Sequence, residues 1–221
     1  MLNEKENFIK FIIESEVLKF GNFLTKSGRK SPYFINIGNC KTGKQLYTLS
    51  LFYSNLLKNS GVNFNAIFGP AYKGIPLVVS CCITFLEKYG INLPILFNRK
   101  EEKDHGENGN FIGHIPEVGE EIAVVEDVLT AGTALTDIIP KLKQNFNVKI
   151  QHVFIAVNRC EKVRNSNESA EVMLKRQFNI EVHSLVDIYD IRNFLKNNDL
   201  KYKKYLKDMD EYVLKYCVKK K

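Results

Sequence analysis

The sequence predicts an α/β fold built on a mainly parallel, five-stranded sheet flanked by helices. Short apolar segments of strand length alternate with longer segments of helical period along most of the 221 residues, without an internal repeat or a linker. Such alternation favours parallel strands joined by right-handed helical crossovers. Because 44% of the residues are hydrophobic, the chain can fill one sizeable core, and we expect a single domain over residues 1–221.

The amino-terminal part predicts a helix followed by a small β hood. Apolar residues recur on one helical face over 3–19, which favours an opening helix. Two segments, 21–26 and 31–36, alternate like short strands on either side of a glycine-containing turn. We interpret the region of about residues 20–40 as the hood.

The core, at about residues 45–200, then alternates helix and strand. Predicted strands lie at 64–68, 93–97, 150–157 and 180–185, with a fifth that begins at Ile122. Predicted helices lie at 45–59, 75–88, 168–177 and 186–196, with another opening after the turn at 130–133. We expect Asp187 and Asp190 to cap the helix that starts near them.

The charge of the chain bears on its partners. A formal net charge of +7 would suit nucleic acid, but the basic residues are not interleaved with exposed aromatics in one stripe. Many lie in loops beside the phosphate site described below, and others in the segment 201–221, whose apolar residues recur at helical spacing. We therefore expect no nucleic-acid partner, and a C-terminal amphipathic helix at about 201–218 with a solvated lysine face.

Several other classes of protein are disfavoured by composition. No stretch is apolar enough for a membrane span and the start lacks a secretion signal, so we expect a cytoplasmic protein without membrane contact. The five cysteines give neither a disulfide framework nor a metal-binding pair, and we interpret them as reduced packing residues. The histidines are scattered singly, without zinc-ligand spacing. They are His105, His114, His152 and His183.

The most informative segment runs from Ile122 to Ala134, where an apolar strand leads to two carboxylates and then to a small-residue turn. Acids at the carboxyl end of a parallel strand lie where α/β sheets bind ligands. Glu126 and Asp127 suit two adjacent sugar hydroxyls, because ionised carboxylates accept hydrogen bonds. The turn at 130–133 can direct N–H groups at a phosphate on the helix N-terminus. A helix cap alone would need only one Asp or Thr, whereas this segment holds two acids, two threonines and a glycine within eight residues. The segment therefore predicts a sugar-phosphate site.

Basic residues follow two other predicted strands. Tyr72 and Lys73 come after one strand, and Arg99 and Lys100 come after the next. The latter pair opens a charged, glycine-containing loop, 99–110, and long loops between buried strands commonly act as lids. Each lysine alone would be interpreted as a solvated surface charge in a chain with 32 basic residues. Their shared position beside strand ends favours an anion-binding site.

Four segments, in this order, resemble the orotate phosphoribosyltransferase family of type I phosphoribosyltransferases. They are LTKSGRKSPYF at 24–34, YKG at 72–74, RK and KDHG within 99–106, and EDVLTAGTA at 126–134. The resemblance implies the type I phosphoribosyltransferase fold with an amino-terminal hood. It implies transfer of phosphoribosyl from phosphoribosyl pyrophosphate (PRPP) to orotate, giving orotidine 5′-monophosphate and pyrophosphate in pyrimidine biosynthesis. Mg²⁺ is the implied cofactor, held by PRPP and contacting Glu126 and Asp127 only through water.

The same resemblance assigns site residues. The implied catalytic residues are Lys26, Lys73, Lys103, His105 and Asp127. The implied orotate contacts are Lys26, Phe34, Ile35, Thr130 and Arg159. The implied PRPP contacts are Lys26, Tyr72, Lys73, Arg99, Lys100, Lys103, His105, Glu126, Asp127, Val128, Leu129, Thr130, Ala131, Gly132, Thr133 and Ala134. The loop 99–110 is implied to reach into the neighbouring subunit's site in a homodimer, where it would keep water from the reacting ribose.

Two positions depart from the family's pattern, and two other functions stay open. Ile35 stands where a second aromatic is common, and Asn158 precedes Arg159 where an acid is common. Another purine or pyrimidine phosphoribosyltransferase would need a different hood. A PRPP-sensing regulator that binds nucleic acid would suit the basic tail but has no need of a lysine-bearing lid. We expect no fused orotidylate decarboxylase, so that enzyme would be a separate partner.

Overall fold

The structure is a computed structural model that describes residues 2–25, 28–100, 110–197 and 200–219. The helices are α1 (Leu2–Glu14), α2 (Gly43–Asn59), α3 (Gly74–Tyr89), α4 (Thr133–Phe146), α5 (Ala170–Phe178), α6 (Ile188–Asn197), α7 (Leu200–Lys203) and α8 (Leu206–Tyr216). The strands are β1 (Leu18–Leu24), β2 (Lys30–Ile35), β3 (Ala66–Gly69), β4 (Ile95–Asn98), β5 (Phe111–Gly113), β6 (Ile122–Leu129), β7 (His152–Asn158) and β8 (Glu181–Asp187).

The central sheet of the described chain has the strand order β5-β4-β3-β6-β7-β8. Five neighbouring strands, β4, β3, β6, β7 and β8, are parallel. This confirms the sequence prediction of a mainly parallel sheet. A sixth strand, β5, pairs antiparallel with β4 at the sheet edge. The sequence analysis missed β5, because a three-residue strand is too short to show alternation.

Strand β6 is apolar over most of its length because both faces of the sheet are covered. Ala123 and Val125 belong to one buried cluster of hydrophobic residues, whereas Ile122 and Val124 belong to a second cluster on the opposite face. A strand buried on both faces gives a continuous apolar sequence rather than an alternating one. This packing fixes β6 in the middle of the sheet, so the residues at its carboxyl end are held by a rigid support.

The predicted hood is an antiparallel pair formed by β1 and β2. Side chains of β2 point alternately to its two faces, which separates Tyr33 from Phe34. Tyr33 is buried and packs edge-on against Tyr212 of α8, with ring centroids 5.6 Å apart. Phe34 lies on the other face and is 43% exposed. The C-terminal helix therefore supports the hood from behind and leaves Phe34 open to solvent.

The helices at the two ends of the chain differ most from the sequence prediction. Helix α1 ends at Glu14 rather than near residue 19, because Glu16 takes a left-handed conformation with φ 56° and the chain then enters β1. The single C-terminal helix predicted at 201–218 is instead the two helices α7 and α8. Tyr202 and Tyr205, at this break, both pack against the ring of Phe20 in the hood.

The predicted cap at the start of α6 is confirmed. The backbone N–H of Asp190 donates to Asp187 Oδ1 at 2.9 Å, and that of Asp187 donates to Asp190 Oδ2 at 3.0 Å. All five cysteines are free thiols, as predicted. Within the described ranges, none of the helices is long and apolar enough to cross a membrane.

Candidate active site

Two segments that the sequence analysis selected separately meet at the carboxyl ends of β3 and β6. The two strands are parallel neighbours, so the loop after β3 lies beside the end of β6. Lys73, in that loop, donates from Nζ to Asp127 Oδ2 at 2.9 Å. Asp127 is buried, whereas the Lys73 side chain is half exposed. A cation and an acid thus face one another at the edge of the sheet where α/β folds bind ligands.

Backbone hydrogen bonds orient the acid pair. Asp127 Oδ1 accepts from the N–H of Val128 at 2.8 Å, and Glu126 Oε1 accepts from the N–H of Asp127 at 3.1 Å. Behind the pair, the hydroxyl of Tyr53 donates to the carbonyl oxygen of Glu126 at 2.7 Å. These contacts hold the two carboxyl groups in fixed directions, which favours binding a rigid diol.

The protonation of the acid pair follows from its surroundings. Burial, together with the neighbouring charge of Asp127, raises the pKa of Glu126 to about 8. Lys73 acts against this shift but does not cancel it. Without a bound ligand, the neutral form of Glu126 is therefore favoured near neutral pH. A cationic ligand group approaching the pair would favour its ionised form.

The turn after β6 opens the helix α4. Gly132 caps the helix with φ 77°, a left-handed conformation that favours glycine. A Cβ atom there would also lie 3.1 Å from Met173 Cε and 3.4 Å from Ala170 Cβ. The first N–H groups of a helix have no partner within the helix, so they can bind an oxyanion. The other residues of the predicted phosphate turn are exposed, namely Thr130, Ala131, Thr133 and Ala134.

Leu129 and Val128 contribute to this region mainly through their backbone. The side chain of Leu129 is buried in the core, and that of Val128 packs against the core from a half-buried position. The carbonyl oxygen of Leu129 accepts from the N–H of Arg159 at 3.1 Å. This bond places Arg159 beside the start of the phosphate turn.

The loop after β3 is shaped by a close approach of its two ends. A Cβ atom on Gly69 would lie 2.3 Å from the carbonyl oxygen of Gly74, so neither glycine can carry a side chain without displacing the backbone. The peptide bond between Ala71 and Tyr72 is cis. Asn98, at the end of β4, accepts from the N–H of Ala71 at 2.9 Å. Together with the bond between Lys73 and Asp127, this contact anchors the loop to β4 and β6, the strands on either side of β3.

Tyr72 and Lys100 connect this loop to the start of the loop 99–110. Lys100 Nζ lies 5.0 Å from the centroid of the Tyr72 ring, which is largely exposed. The backbone N–H of Arg99 donates to the carbonyl oxygen of Asn110 at 2.6 Å. The two ends of the loop 99–110 are thus joined by a hydrogen bond, and Arg99 itself is exposed.

Arg159 is held by a buried network that the sequence analysis did not predict. Its Nε donates to Glu161 Oε1 at 2.6 Å, and its Nη2 donates to the hydroxyl of Tyr212 at 3.0 Å. Tyr212 in turn donates to the same Glu161 oxygen at 2.6 Å. The guanidinium carbon lies 4.6 Å from the centroid of the Tyr33 ring. Arg159 therefore has a fixed plane, set by residues of the hood and of α8.

Comparison with known proteins identifies the family. The chain is 42% identical over 221 residues to the orotate phosphoribosyltransferase of Clostridium acetobutylicum, covering 97% of this chain and 98% of that protein. It is 42% identical over 218 residues to that of Mannheimia succiniciproducens, covering 99% and 100%. The chain belongs to the orotate phosphoribosyltransferase family. It is accordingly a phosphoribosyltransferase, as its sequence motifs predicted.

A solved structure supports the same assignment for the fold of this phosphoribosyltransferase. The crystal structure of orotate phosphoribosyltransferase from Francisella tularensis matches it with a TM-score of 0.83 and 38% sequence identity. The match covers 96% of this chain and 99% of that chain. A search with family models gave no match. The predicted type I phosphoribosyltransferase fold is confirmed.

Five predicted site residues of this phosphoribosyltransferase remain, and two of them, Phe34 and Ile35, lie in the hood. Phe34 stacks on Phe23 within the hood, with centroids 5.5 Å apart, and Ile35 is buried. Lys26, Lys103 and His105 lie outside the described residues.

Sequence reasoning missed Tyr53, Asn98, Glu161 and Tyr212 as neighbours of the site. Glu161 stands two residues after Arg159, and an acid so close to a selected arginine was a signal that could have been used. Tyr212 was noticed only as one apolar position of the C-terminal helix. Its hydroxyl gave no local sign of its partners, since Arg159 and Glu161 come from the distant segment after β7.

Proposed function

We propose that this enzyme transfers the phosphoribosyl group of PRPP to orotate in pyrimidine nucleotide synthesis. The ring nitrogen of orotate loses its proton and forms a bond to the anomeric carbon of the ribose, the bond from that carbon to pyrophosphate breaks, and the proton passes to pyrophosphate or to solvent. The products are orotidine 5′-monophosphate and pyrophosphate. The observation that carries the proposal is the meeting of Lys73 with Asp127 at the carboxyl ends of β3 and β6, directly before the turn at 130–133 that opens α4.

The acid pair binds the ribose, and the turn binds its 5-phosphate. Glu126 and Asp127 accept hydrogen bonds from the two ribose hydroxyls, because a carboxylate oxygen accepts and so does the carbonyl oxygen of the Glu126 carboxyl group while that group is neutral. The phosphate lies on the N-terminus of α4, where N–H groups and the helix dipole favour an anion. Both parts are supported by one rigid strand, β6, so the distance between diol and phosphate sites is fixed.

Lys73 is the described cation best placed for the pyrophosphate. Its side chain is half exposed and reaches Asp127 from the loop after β3. A small rotation of this flexible side chain would transfer its ammonium group from Asp127 to a pyrophosphate oxygen. Negative charge grows on pyrophosphate as it leaves, and a preformed cation stabilises that charge. Tyr72 and the pair Arg99 and Lys100 flank the same loop.

The donor set fits Mg²⁺ carried by the substrate. Carboxylate oxygens suit this hard cation, but one oxygen of Asp127 is bonded to Lys73 and one to the backbone of Val128. We therefore propose that PRPP oxygens hold the ion, with Glu126 and Asp127 contacting it only through water. When bound, the ion would neutralise part of the pyrophosphate charge.

The orotate site is proposed between the hood and the turn after β6. Phe34 offers an exposed aromatic face for the flat base, beside the backbone of Ile35. Thr130 is exposed at the start of the turn, and Arg159 suits the carboxylate of orotate because a guanidinium group forms charge-assisted bonds with such anions. Glu161 and Tyr212 orient Arg159 for this contact. Lys26 is proposed, from the resemblance, to contact both orotate and pyrophosphate.

A homodimer is proposed, with Lys103 and His105 of the loop 99–110 acting in the neighbouring subunit's site. Support comes from an exposed apolar stripe on α3 formed by Val79, Ile83 and Leu86, since such a face suits a second copy of the chain. Mixing Lys103→Ala chains with Asp127→Asn chains tests the arrangement. Random pairing should restore about a quarter of the wild-type activity, because one site of each mixed dimer is then intact. No restoration would show that each chain completes its own site.

The five free cysteines support a cytoplasmic location, where thiols stay reduced. The product would pass to an orotidylate decarboxylase.

The proposed reaction is tested by mixing the enzyme with orotate, PRPP and Mg²⁺ and following the loss of orotate absorbance. Release of one pyrophosphate for each orotate consumed is the expected result. Turnover of adenine or hypoxanthine without consumption of orotate would reject the choice of base while leaving the PRPP site intact. Salt-dependent binding of DNA or RNA without any pyrophosphate release would favour a regulator instead.

A further inference from the structure

Three polar side chains meet at the amino-terminal edge of the sheet, away from the candidate active site. His152 starts β7, and Glu181 and His183 lie at the start of the adjacent strand β8. The ligand atoms of these three residues all lie within 4.8 Å of one another. His152 lies three residues before Ile155, and Ile155 pairs with Glu126 of the candidate active site. Measured along the strands, His152 is therefore about 10 Å from the level of Glu126.

Parallel strand pairing creates this group. His152 pairs with Glu181, and Phe154 pairs with His183 in the same register. Side chains two residues apart on a strand point to the same face, so both histidines and the glutamate share one side of the sheet. The ring of Phe154 stacks on His183, with centroids 4.7 Å apart and an angle of 14° between the planes. Packing therefore fixes the orientation of His183.

The distance between the two imidazoles suits a tetrahedral metal ion. His152 Nδ1 lies 3.0 Å from His183 Nε2. Two nitrogens bound to one tetrahedral zinc ion, each at about 2.0–2.1 Å, are about 3.3 Å apart. The two nitrogens would therefore need to move apart by only a few tenths of an ångström to bind the same ion. The nitrogen that donates the present hydrogen bond would pass its hydrogen through solvent to the other nitrogen of its ring, leaving two facing lone pairs.

The protonation states favour ligand binding. Burial, together with the nearby His152, lowers the pKa of His183, so this ring is neutral at physiological pH. A hydrogen bond with Lys175 lowers the pKa of Glu181, so the carboxyl group is ionised. Lys175 Nζ contacts only Oε1, at 2.9 Å, and both side chains of this pair are more than half exposed. An exposed pair rearranges at little cost, so Lys175 is a weak competitor for the carboxylate.

We propose that His152, His183 and Glu181 form a binding site for a divalent transition-metal ion of the zinc type. Two imidazoles and one carboxylate are a ligand set that such ions prefer, whereas Mg²⁺ prefers oxygen ligands. Water completes the coordination at this partly exposed position. The ion links the amino ends of β7 and β8, and so stabilises the edge of the sheet without contacting the reacting groups. It is distinct from the Mg²⁺ proposed for the PRPP site.

Calorimetric titration of the full-length, metal-free chain with Zn²⁺, in excess Mg²⁺, tests the site. The wild type should bind one Zn²⁺ per chain at this site, and His152→Gln and His183→Gln should each weaken that binding by at least about tenfold. His114→Gln is the matched control, because His114 pairs with Glu120 outside the group. It should bind like the wild type. Equal binding by all four proteins, or no binding by the wild type, would overturn the proposal.

Two further measurements keep the test decisive if a histidine variant folds poorly. Co²⁺ bound to the wild type should give the intense visible spectrum of a tetrahedral site, and a weak octahedral spectrum would contradict the geometry. Glu181→Gln keeps the shape of the side chain but removes the charged ligand oxygen and should weaken Zn²⁺ binding several-fold, whereas unchanged binding would exclude Glu181 as a ligand. Phosphoribosyl transfer by well-folded histidine variants should equal that of the wild type.

Discussion

Lys73 Nζ lies 2.9 Å from Asp127 Oδ2, and this contact joins the loop after β3 to the end of β6. The lysine side chain is 50% exposed and the aspartate side chain 13%. Such a partly exposed pair contributes little to stability, about 1 kcal/mol or less. Its importance is therefore positional: the acid holds the ammonium group beside the place where we expect pyrophosphate to leave.

Replacing Lys73 should separate activity from stability. Lys73→Gln is expected to lower kcat/KM for PRPP by about a hundredfold, because a cation that stabilises the leaving group is lost. The melting temperature should change by only a few degrees. Steady-state kinetics and thermal unfolding measure the two effects. Lys5→Ala, which breaks a comparable pair with Asp190 of α6, should leave the kinetics unchanged.

Stability should fall as pH rises through the region where Glu126 ionises. Burial raises the pKa of Glu126 from 4.5 to about 8 in the folded state, so between these values the folded protein binds more protons than the unfolded chain. The free energy of unfolding must then decrease with increasing pH. The contribution of neutral Glu126 to the free energy of unfolding is fully present below pH 4.5 and is lost as pH rises through about 8.

The variant Glu126→Gln tests this linkage. At pH 9 it should be more stable than the wild type by about 1 kcal/mol or more, or several degrees in melting temperature. The difference should shrink toward pH 6. Glu87→Gln, at an exposed position of α3, controls for the loss of one charge. Parallel stability curves for wild type and Glu126→Gln would mean that Glu126 is ionised throughout.

Removing one hydroxyl from the Arg159 network should affect orotate more than PRPP. Tyr212→Phe leaves Arg159 Nη2 and Glu161 Oε1 each without one buried partner, which costs about 1–3 kcal/mol of stability. With its plane less fixed, Arg159 should bind orotate more weakly, and KM for orotate should rise about tenfold with little change in KM for PRPP. Tyr216→Phe, in the same helix, is the matched control. A parallel rise in both KM values would indicate a general loss of structure.

Two glycines with the same backbone conformation provide a test of the phosphate turn. Gly132 and Gly90 have φ 77° and 65°, and alanine at either should cost about 1 kcal/mol of stability. Only at Gly132 would the added Cβ meet other atoms, those of Met173 and Ala170. Gly132→Ala should therefore raise KM for PRPP at least about tenfold, whereas Gly90→Ala should leave it unchanged. Equal KM values for the two variants would remove the turn from PRPP binding.

The sequence predicted the features that depend on local pattern. The buried strand β6, its two acids and the glycine turn lie within one segment, 122–134, so their order along the chain already describes the site. The antiparallel strand β5 and the break between α7 and α8 were missed. Both are short features whose form depends on packing against other elements rather than on periodicity.

Contacts between distant segments could not be predicted in this way. The Arg159 network needs Tyr212, which is 53 residues further along the chain, and pattern reasoning gave no reason to bring α8 there. The histidine group is similar, because His152 and His183 are 31 residues apart and meet only through the register of β7 and β8. Spacing rules find ligands on one turn or one helix, but not those on adjacent strands.

The central claim is that the acid pair, the turn after β6 and Lys73 bind one PRPP molecule, and a crystal soaked with PRPP and Mg²⁺ tests it most directly. We expect the ribose hydroxyls on Glu126 and Asp127, the 5-phosphate at the N-terminus of α4, and Lys73 Nζ moved from Asp127 onto pyrophosphate. A ribose bound elsewhere, with the bond between Lys73 and Asp127 intact, would contradict the account.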